Sequence, residues 1–207
     1  MGLHQASEVA NRSILRRSTA WVVPLVMTAI SLLVLLGGTE AQSRLRYDRT
    51  GIAEGDLWRL VTGHFAHLGI THTLLNMAGL AVVWLLVGSA YTLWQWAFIT
   101  LVSIAFIDLC FWFLDPDLIW YVGLSGLLHS MLVAGVLGRI REAPGESLAL
   151  GVVVLAKVAW EQFAGPLPGS ESSAGGAVVV NAHLYGAIAG IIAAGALRLR
   201  TAPRAAI

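Results

Sequence analysis

Gly123-Leu-Ser125-Gly126-Leu-Leu-His129-Ser130-Met-Leu-Val-Ala134-Gly-Val-Leu-Gly138 and, further along, Ala182-His183-Leu-Tyr-Gly186-Ala-Ile-Ala-Gly190-Ile-Ile-Ala-Ala194 decide how this chain folds. Each stretch is apolar and repeats a small residue at every fourth position: Gly126, Ser130, Ala134 and Gly138 in the first, Ala182, Gly186, Gly190 and Ala194 in the second. In lipid, where apolar side chains gain nothing by leaving the solvent, such ribbons let two helix backbones approach closely. A polar residue adjoins the first member of each ribbon, Ser125 in one and His183 in the other. If the ribbons pack, serine meets histidine.

Working outward, apolar segments recur at about Trp21 to Gly38, His72 to Ser89, Thr92 to Phe113, Gly123 to Leu137, Leu148 to Phe163 and Ala177 to Leu197. A hydrocarbon layer of roughly 30 Å needs about 20 helical residues, so the fourth and fifth are short. The expected fold is an all-α polytopic membrane protein with six transmembrane helices, divided into a tail at 1–20, a membrane domain at 21–197 and a second tail at 198–207. Composition agrees: 57% of the 207 residues are hydrophobic and only 12% charged, too few to clothe a soluble domain or coat a nucleic acid. One cysteine, Cys110, excludes an intrachain disulfide and a cysteine-rich metal site.

Alternating six spans places Arg12, Arg16, Arg17, Arg139, Arg141, Arg198, Arg200 and Arg204 on one side, against Glu8, Glu142 and Glu146. Excess arginine marks the cytoplasmic side, so both termini are expected inside. The long segment from Thr39 to Thr71 and the stretch PLPGSESSAGG from Pro166 to Gly176 then face outward, the second as a flexible loop. Trp58 and Arg59 suit the headgroup level, an aromatic belt with a basic group.

Polar residues inside apolar spans are costly and therefore candidates for function. His72 and Asn76, four apart, share one helical face; with Ser125 and His183 they fall toward the outward ends of parallel spans two, four and six. A serine beside a histidine is the minimum for nucleophilic catalysis, the imidazole taking the hydroxyl proton during attack on a carbonyl. His72, Asn76 and the Ser125 amide are candidate donors to the oxyanion. Asp108 in span three is the weak candidate for a third member, and a serine–histidine dyad fits better. Two other readings stand beside this one: hydrogen bonding between helices of a transporter or scaffold, and a metal site drawn from His64, His67, His72 and His183, which no HExxH motif or nearby carboxylate completes.

These residues in this order resemble the rhomboid family of intramembrane serine proteases. The resemblance runs from about Trp21 to Leu197 and is carried by Trp58-Arg59, by the spacing of His67, His72 and Asn76, by Gly123-Leu124-Ser125-Gly126, and by Ala182-His183 with Gly186 and Gly190. It implies Ser125 as nucleophile, His183 as base, and an oxyanion site at His72, Asn76 and the Ser125 amide, with Gly123, Gly126 and His67 in support. It implies no cofactor and no metal, and cleavage near the outward face after a substrate helix unwinds. Many rhomboids carry an aromatic residue one turn after the nucleophile, where this chain has His129, expected to orient His183.

GLSGLLH looks more specifically like the rhombosortase branch, which acts on exported proteins bearing a C-terminal glycine-glycine motif, a membrane helix and a basic tail. The expected partners are then such membrane-anchored proteins and the lipid bilayer, with no nucleic acid. The expected location is a bacterial inner membrane with the site opening to the periplasm. The alternative of another class is a noncatalytic rhomboid-like factor that binds membrane proteins.

Overall fold

A computed structural model describes residues 21–201 of the protein. The expected tail at 1–20, with Glu8, Arg12, Arg16 and Arg17, and Arg204 in the second tail lie outside the described residues. In chain order the elements are α1 (Val22–Leu36), α2 (Gly38–Leu45), β1 (Tyr47–Asp48), α3 (Arg49–Ala53), α4 (Arg59–Thr62), α5 (Ile70–Val87), α6 (Leu93–Leu114), β2 (Trp120–Tyr121), α7 (Ser125–Arg139), α8 (Pro144–Ala164), α9 (Ser170–Ala174) and α10 (Val180–Thr201).

Helix is present in all six segments where spans were expected, but the six do not all have the length of a crossing. Among the described residues four stretches are long and apolar enough: Ile70–Ala90, Leu93–Leu114, Pro144–Ala164 and Val180–Arg200. α1 and α7 have 15 residues each, about 22 Å of helix. α1 turns through 120° into α2, and the pair counts at most as a broken span. α7 is short because the backbone upstream is committed to strand β2 and to Gly123, whose φ of 134° no helix can contain. α8 begins at Pro144, four residues before the apolar run at Leu148, because proline is favoured at a helix N1 position.

The ribbons face each other. A Cβ on Gly186 would fall onto the Gly126 carbonyl, and one on Gly190 onto the Ser130 carbonyl, so α10 lies backbone against backbone on α7. Half of the residues in the apolar window of α10 are buried, against 22% for α8, which makes α10 the central helix and α8 a peripheral one. α6 joins α7 through a buried contact of 2.5 Å between the Ser103 and Ser130 hydroxyls, while Ser103 also donates to the Ile99 carbonyl at 2.6 Å. Hydrogen bonds of this kind and close packing, rather than apolar burial, hold helices together in lipid.

The segment from Thr39 to Thr71, expected as one long loop, contains α2, α3, α4 and β1. Its β1 pairs antiparallel with β2, Tyr47 opposite Tyr121 and Asp48 opposite Trp120. Arg49 reaches the other way, donating to the carbonyls of Phe111 at 3.1 Å and Trp112 at 2.5 Å, near the C-terminus of α6, where a cation is favoured. The Pro166 to Gly176 stretch likewise contains α9 rather than irregular chain throughout. This scaffold brings the N-terminal ends of α5, α7 and α10 to one end of the bundle, together with the C-terminal ends of α6 and α8.

Candidate active site

Ser125 is the first residue of α7 and half-buried; His183 is the fourth of α10 and buried. With the two helices in backbone contact, the imidazole Nε2 lies 2.9 Å from the Ser125 hydroxyl. The other ring nitrogen, Nδ1, lies 2.8 Å from Glu161 Oε2 on α8. Glu161 is 3% exposed, and its second oxygen accepts from the Lys157 ammonium at 2.7 Å, one helical turn away. Nδ1 carrying the proton and donating to the carboxylate leaves Nε2 with a lone pair directed at the serine, the state a general base requires.

His129 stands one turn after Ser125. Its Nδ1 meets the Ser125 carbonyl at 2.7 Å, and its ring stacks on His183 with centroids 4.3 Å apart and planes 21° from parallel. The surface expected to orient His183 is thus an imidazole that is itself fixed to the Ser125 backbone.

His72, in the first turn of α5, accepts from the Leu68 amide at Nδ1 over 3.3 Å. Its Nε2 is then the protonated nitrogen and a donor. That edge of the ring faces Gly123: a Cβ there would sit 3.3 Å from His72 Cε1 and Nε2. Glycine at 123 therefore serves both the positive φ and the approach of this donor. Asn76, buried, donates to the His72 carbonyl at 3.1 Å and so fixes itself to the same turn. The Ser125 amide is among the first N–H groups of α7, which a helix leaves without an internal partner. Tyr121 was not singled out from sequence, yet its hydroxyl donates to the Gly123 carbonyl at 2.5 Å, and burial pushes its phenol pKa well up, keeping it a donor. The Gly123 amide donates to Gly63 at 3.2 Å, so the turn before the serine is clamped on both sides. Beside it a groove of about 290 Å³ opens between Leu68, Trp120, Val122, Ala177 and Val179.

Other expected residues fall elsewhere. Asp108 meets His64 Nε2 at 3.3 Å, a contact separate from the His183 cluster; the carboxylate beside His183 is Glu161. His67 packs edge-on to His72 with centroids 5.0 Å apart, and burial together with the neighbouring His72 pushes its pKa down to about 4. Trp58 is exposed and donates weakly to the Arg44 carbonyl at 3.4 Å. The Arg59 guanidinium binds Asp56 at 2.9 Å and the carbonyls of Ser43 and Arg46 at 3.0 and 3.2 Å, tying the segment from Thr39 to Thr71 together.

The four histidines of the alternative metal reading, His64, His67, His72 and His183, do not assemble as one group among the described residues. A different trio, His129, Glu161 and His183, has ligand atoms within 4.8 Å of one another. The Lys157 ammonium already supplies the positive charge there, 2.7 Å from Glu161 and 3.3 Å from His183 Nδ1. The donor set therefore fits a hydrogen-bonded relay better than a cation.

The family model described as Rhomboid domain matches residues 54–200, well over half of the chain. No curated relative matches the sequence.

Proposed function

Because the chain belongs to the rhomboid family, whose domain model covers residues 54–200, we propose that it is an intramembrane serine endopeptidase with Ser125 as nucleophile and His183 as base. The observation that carries this reading is the 2.9 Å contact between His183 Nε2 and the Ser125 hydroxyl at one end of the helix bundle.

In the acylation step the Ser125 oxygen forms a bond to the scissile carbonyl carbon while its proton passes to His183 Nε2. The carbonyl oxygen becomes an oxyanion, met by the Ser125 amide and by His72 Nε2–H, with Asn76 as the further proposed donor through the N–H that the His72 carbonyl does not take. Such prepositioned donors stabilise charge where it develops. The C–N bond then breaks, and His183 returns its proton to the departing amine. Water repeats the sequence at the acyl carbon, its proton passing through His183 to the serine oxygen. A transmembrane helix hides its scissile carbonyl in its own hydrogen bonds, so the substrate must unwind where replacement partners exist. The groove beside Tyr121 and Val122 is suited to an extended segment of that kind.

The finer reading keeps six membrane segments, both termini cytoplasmic in a bacterial inner membrane, and a site opening to the periplasm, on the strength of the arginine asymmetry. Arg139 and Arg198, both on the expected inner side, donate to the carbonyls of Leu86 and Leu137, at or near the C-terminal ends of α5 and α7. The substrates proposed are exported proteins with a C-terminal glycine-glycine motif, a membrane helix and a basic tail, a reading supported by GLSGLLH at Gly123 to His129.

The test is cleavage in liposomes of a protein carrying such a tail and of the same protein with the two glycines replaced. Wild type is expected to release the soluble portion of the first, and Ser125→Ala and His183→Ala to release none while remaining folded. Cleavage by Ser125→Ala at the wild-type rate would overturn the mechanism; equal cleavage of both substrates would overturn the glycine-glycine preference alone.

A further inference from the structure

We propose that Glu161 is a positioning residue that sets the tautomer of His183 against the opposing pull of Lys157, so that the base belongs to a serine–histidine–glutamate relay rather than a dyad. This rests on the serine protease reading above.

The observation is a competition for one atom. His183 Nδ1 has two neighbours on α8, Glu161 Oε2 at 2.8 Å and Lys157 Nζ at 3.3 Å. They demand opposite things of it. A carboxylate only accepts, so Glu161 requires a proton on Nδ1. An ammonium only donates, so Lys157 requires a lone pair there. Nδ1–H leaves Nε2 free to take the Ser125 proton; a lone pair at Nδ1 puts the proton on Nε2, where it faces the hydroxyl 2.9 Å away and blocks the transfer. The shorter contact, 2.8 Å against 3.3 Å, favours Glu161 when both residues are present.

Lys157 also has a supporting part. A buried carboxylate is costly unless its charge is met and both oxygens are hydrogen-bonded. Lys157 takes Oε1 at 2.7 Å, leaving Oε2 to His183. The lysine thus keeps the carboxylate ionised while it holds the ring in place. During attack the proton leaves the serine for Nε2, the ring becomes an imidazolium, and Glu161 faces the new charge without itself being protonated. On α7, Ser125 meets the ring at Nε2 and His129 stacks on its face.

The consequence is a reversal of sign that packing alone does not produce. In wild type, Lys157→Met weakens the site by removing the partner that keeps Glu161 ionised. In the Glu161→Gln background, where the ammonium is the stronger claimant on Nδ1, the same lysine substitution should restore activity by releasing the unproductive tautomer.

The experiment uses the full chain, labelled with 15N-histidine, in detergent micelles. The tautomer of His183 is read from its ring nitrogen shifts at alkaline pH, with the resonance identified by its loss in His183→Ala. In parallel, the rate at which a fluorophosphonate modifies Ser125 is followed by mass spectrometry. Wild type and Glu161→Asp are expected to carry the neutral proton on Nδ1 and Glu161→Gln on Nε2. The labelling rate should fall by about 10⁴-fold in Glu161→Gln, the size of effect that removing an orienting carboxylate has. The double variant Glu161→Gln, Lys157→Met should react at least about 10-fold faster than Glu161→Gln, a non-additivity diagnostic of coupling. An Nδ1–H tautomer in Glu161→Gln, or a double variant no faster than the single one, would overturn the proposal. Failure of wild type to label at Ser125 counts against the protease reading instead, and the nitrogen shifts still decide the role of Glu161.

Discussion

The stacked pair of imidazoles shows how one residue type can serve two purposes a turn apart. In the proposed mechanism His183 needs a mobile proton, whereas His129 spends its Nδ1 on the Ser125 carbonyl at 2.7 Å and presents a flat face to His183, 4.3 Å between centroids. Ring stacking contributes about 0.5–1.5 kcal/mol beyond burial, so His129→Ala is expected to lower kcat by about 10-fold through a loosened base. His129→Phe, which keeps the flat face and loses only the nitrogen, should recover most of that loss. Turnover of a membrane-anchored substrate checks both; a Phe variant as poor as Ala would assign the effect to the nitrogen. At this scale Ser125, His183, His72 and Asn76 were legible because polar residues are expensive in apolar spans, and His129 because it is one turn from Ser125. Glu161 was not. A lysine and a glutamate four apart, as Lys157 and Glu161 are, read as a pair that neutralises itself on its own helix. Nothing in the linear order says that the second carboxylate oxygen is turned toward another helix.

Between elements, the contact of α7 with α10 sets the serine to histidine distance, and glycine is what permits it. A Cβ on Gly186 would meet the Gly126 carbonyl, a backbone atom that cannot turn aside, whereas a Cβ on Gly195 of the same helix meets nothing within 4 Å. Gly186→Ala is therefore expected to cost about 1–3 kcal/mol as overpacking and to reduce turnover by widening the gap between His183 and Ser125. Gly195→Ala should do neither. Unfolding in SDS-titrated micelles and cleavage rate together make the test, and an unchanged Gly186→Ala protein would deny that the helices meet backbone to backbone. The two ribbons were visible in sequence because the repeat of four matches a helix face. The helix ends were less visible. Strand β2 and the turn at Gly123 shorten α7, and the order in the segment from Thr39 to Thr71 comes from long-range partners, Tyr47 with Tyr121 and Arg49 with the end of α6, that no local pattern announces.

At the scale of the whole fold, the segment from Thr39 to Thr71 is fastened directly to the end of the bundle that carries Ser125. β1 holds β2, β2 leads into Gly123, and His67 packs on His72 just before α5. The fastening includes a histidine that must stay neutral, which gives the fold a pH dependence of definite sign. His67 is 5% exposed; burial and its neighbour His72 lower its pKa from 6.5 to about 4. Between those values the unfolded chain binds a proton that the folded one refuses, so stability falls as pH is lowered through this window and levels off below it. The full difference corresponds to on the order of 3 kcal/mol. Asp48 acts in another window. Burial raises its carboxyl, but the Gly51 amide and Arg46 outweigh this and hold it below 3.8, so its contribution is lost only in stronger acid. SDS-titrated unfolding of wild type is thus expected to show a midpoint that declines from pH 6.5 to 4, and His67→Phe a shallower decline, since the ring is kept and the titrating nitrogen removed. An identical slope in the two proteins would show that His67 does not resist protonation in the folded state, and the segment from Thr39 to Thr71 would then lose its place in the acid sensitivity of the fold.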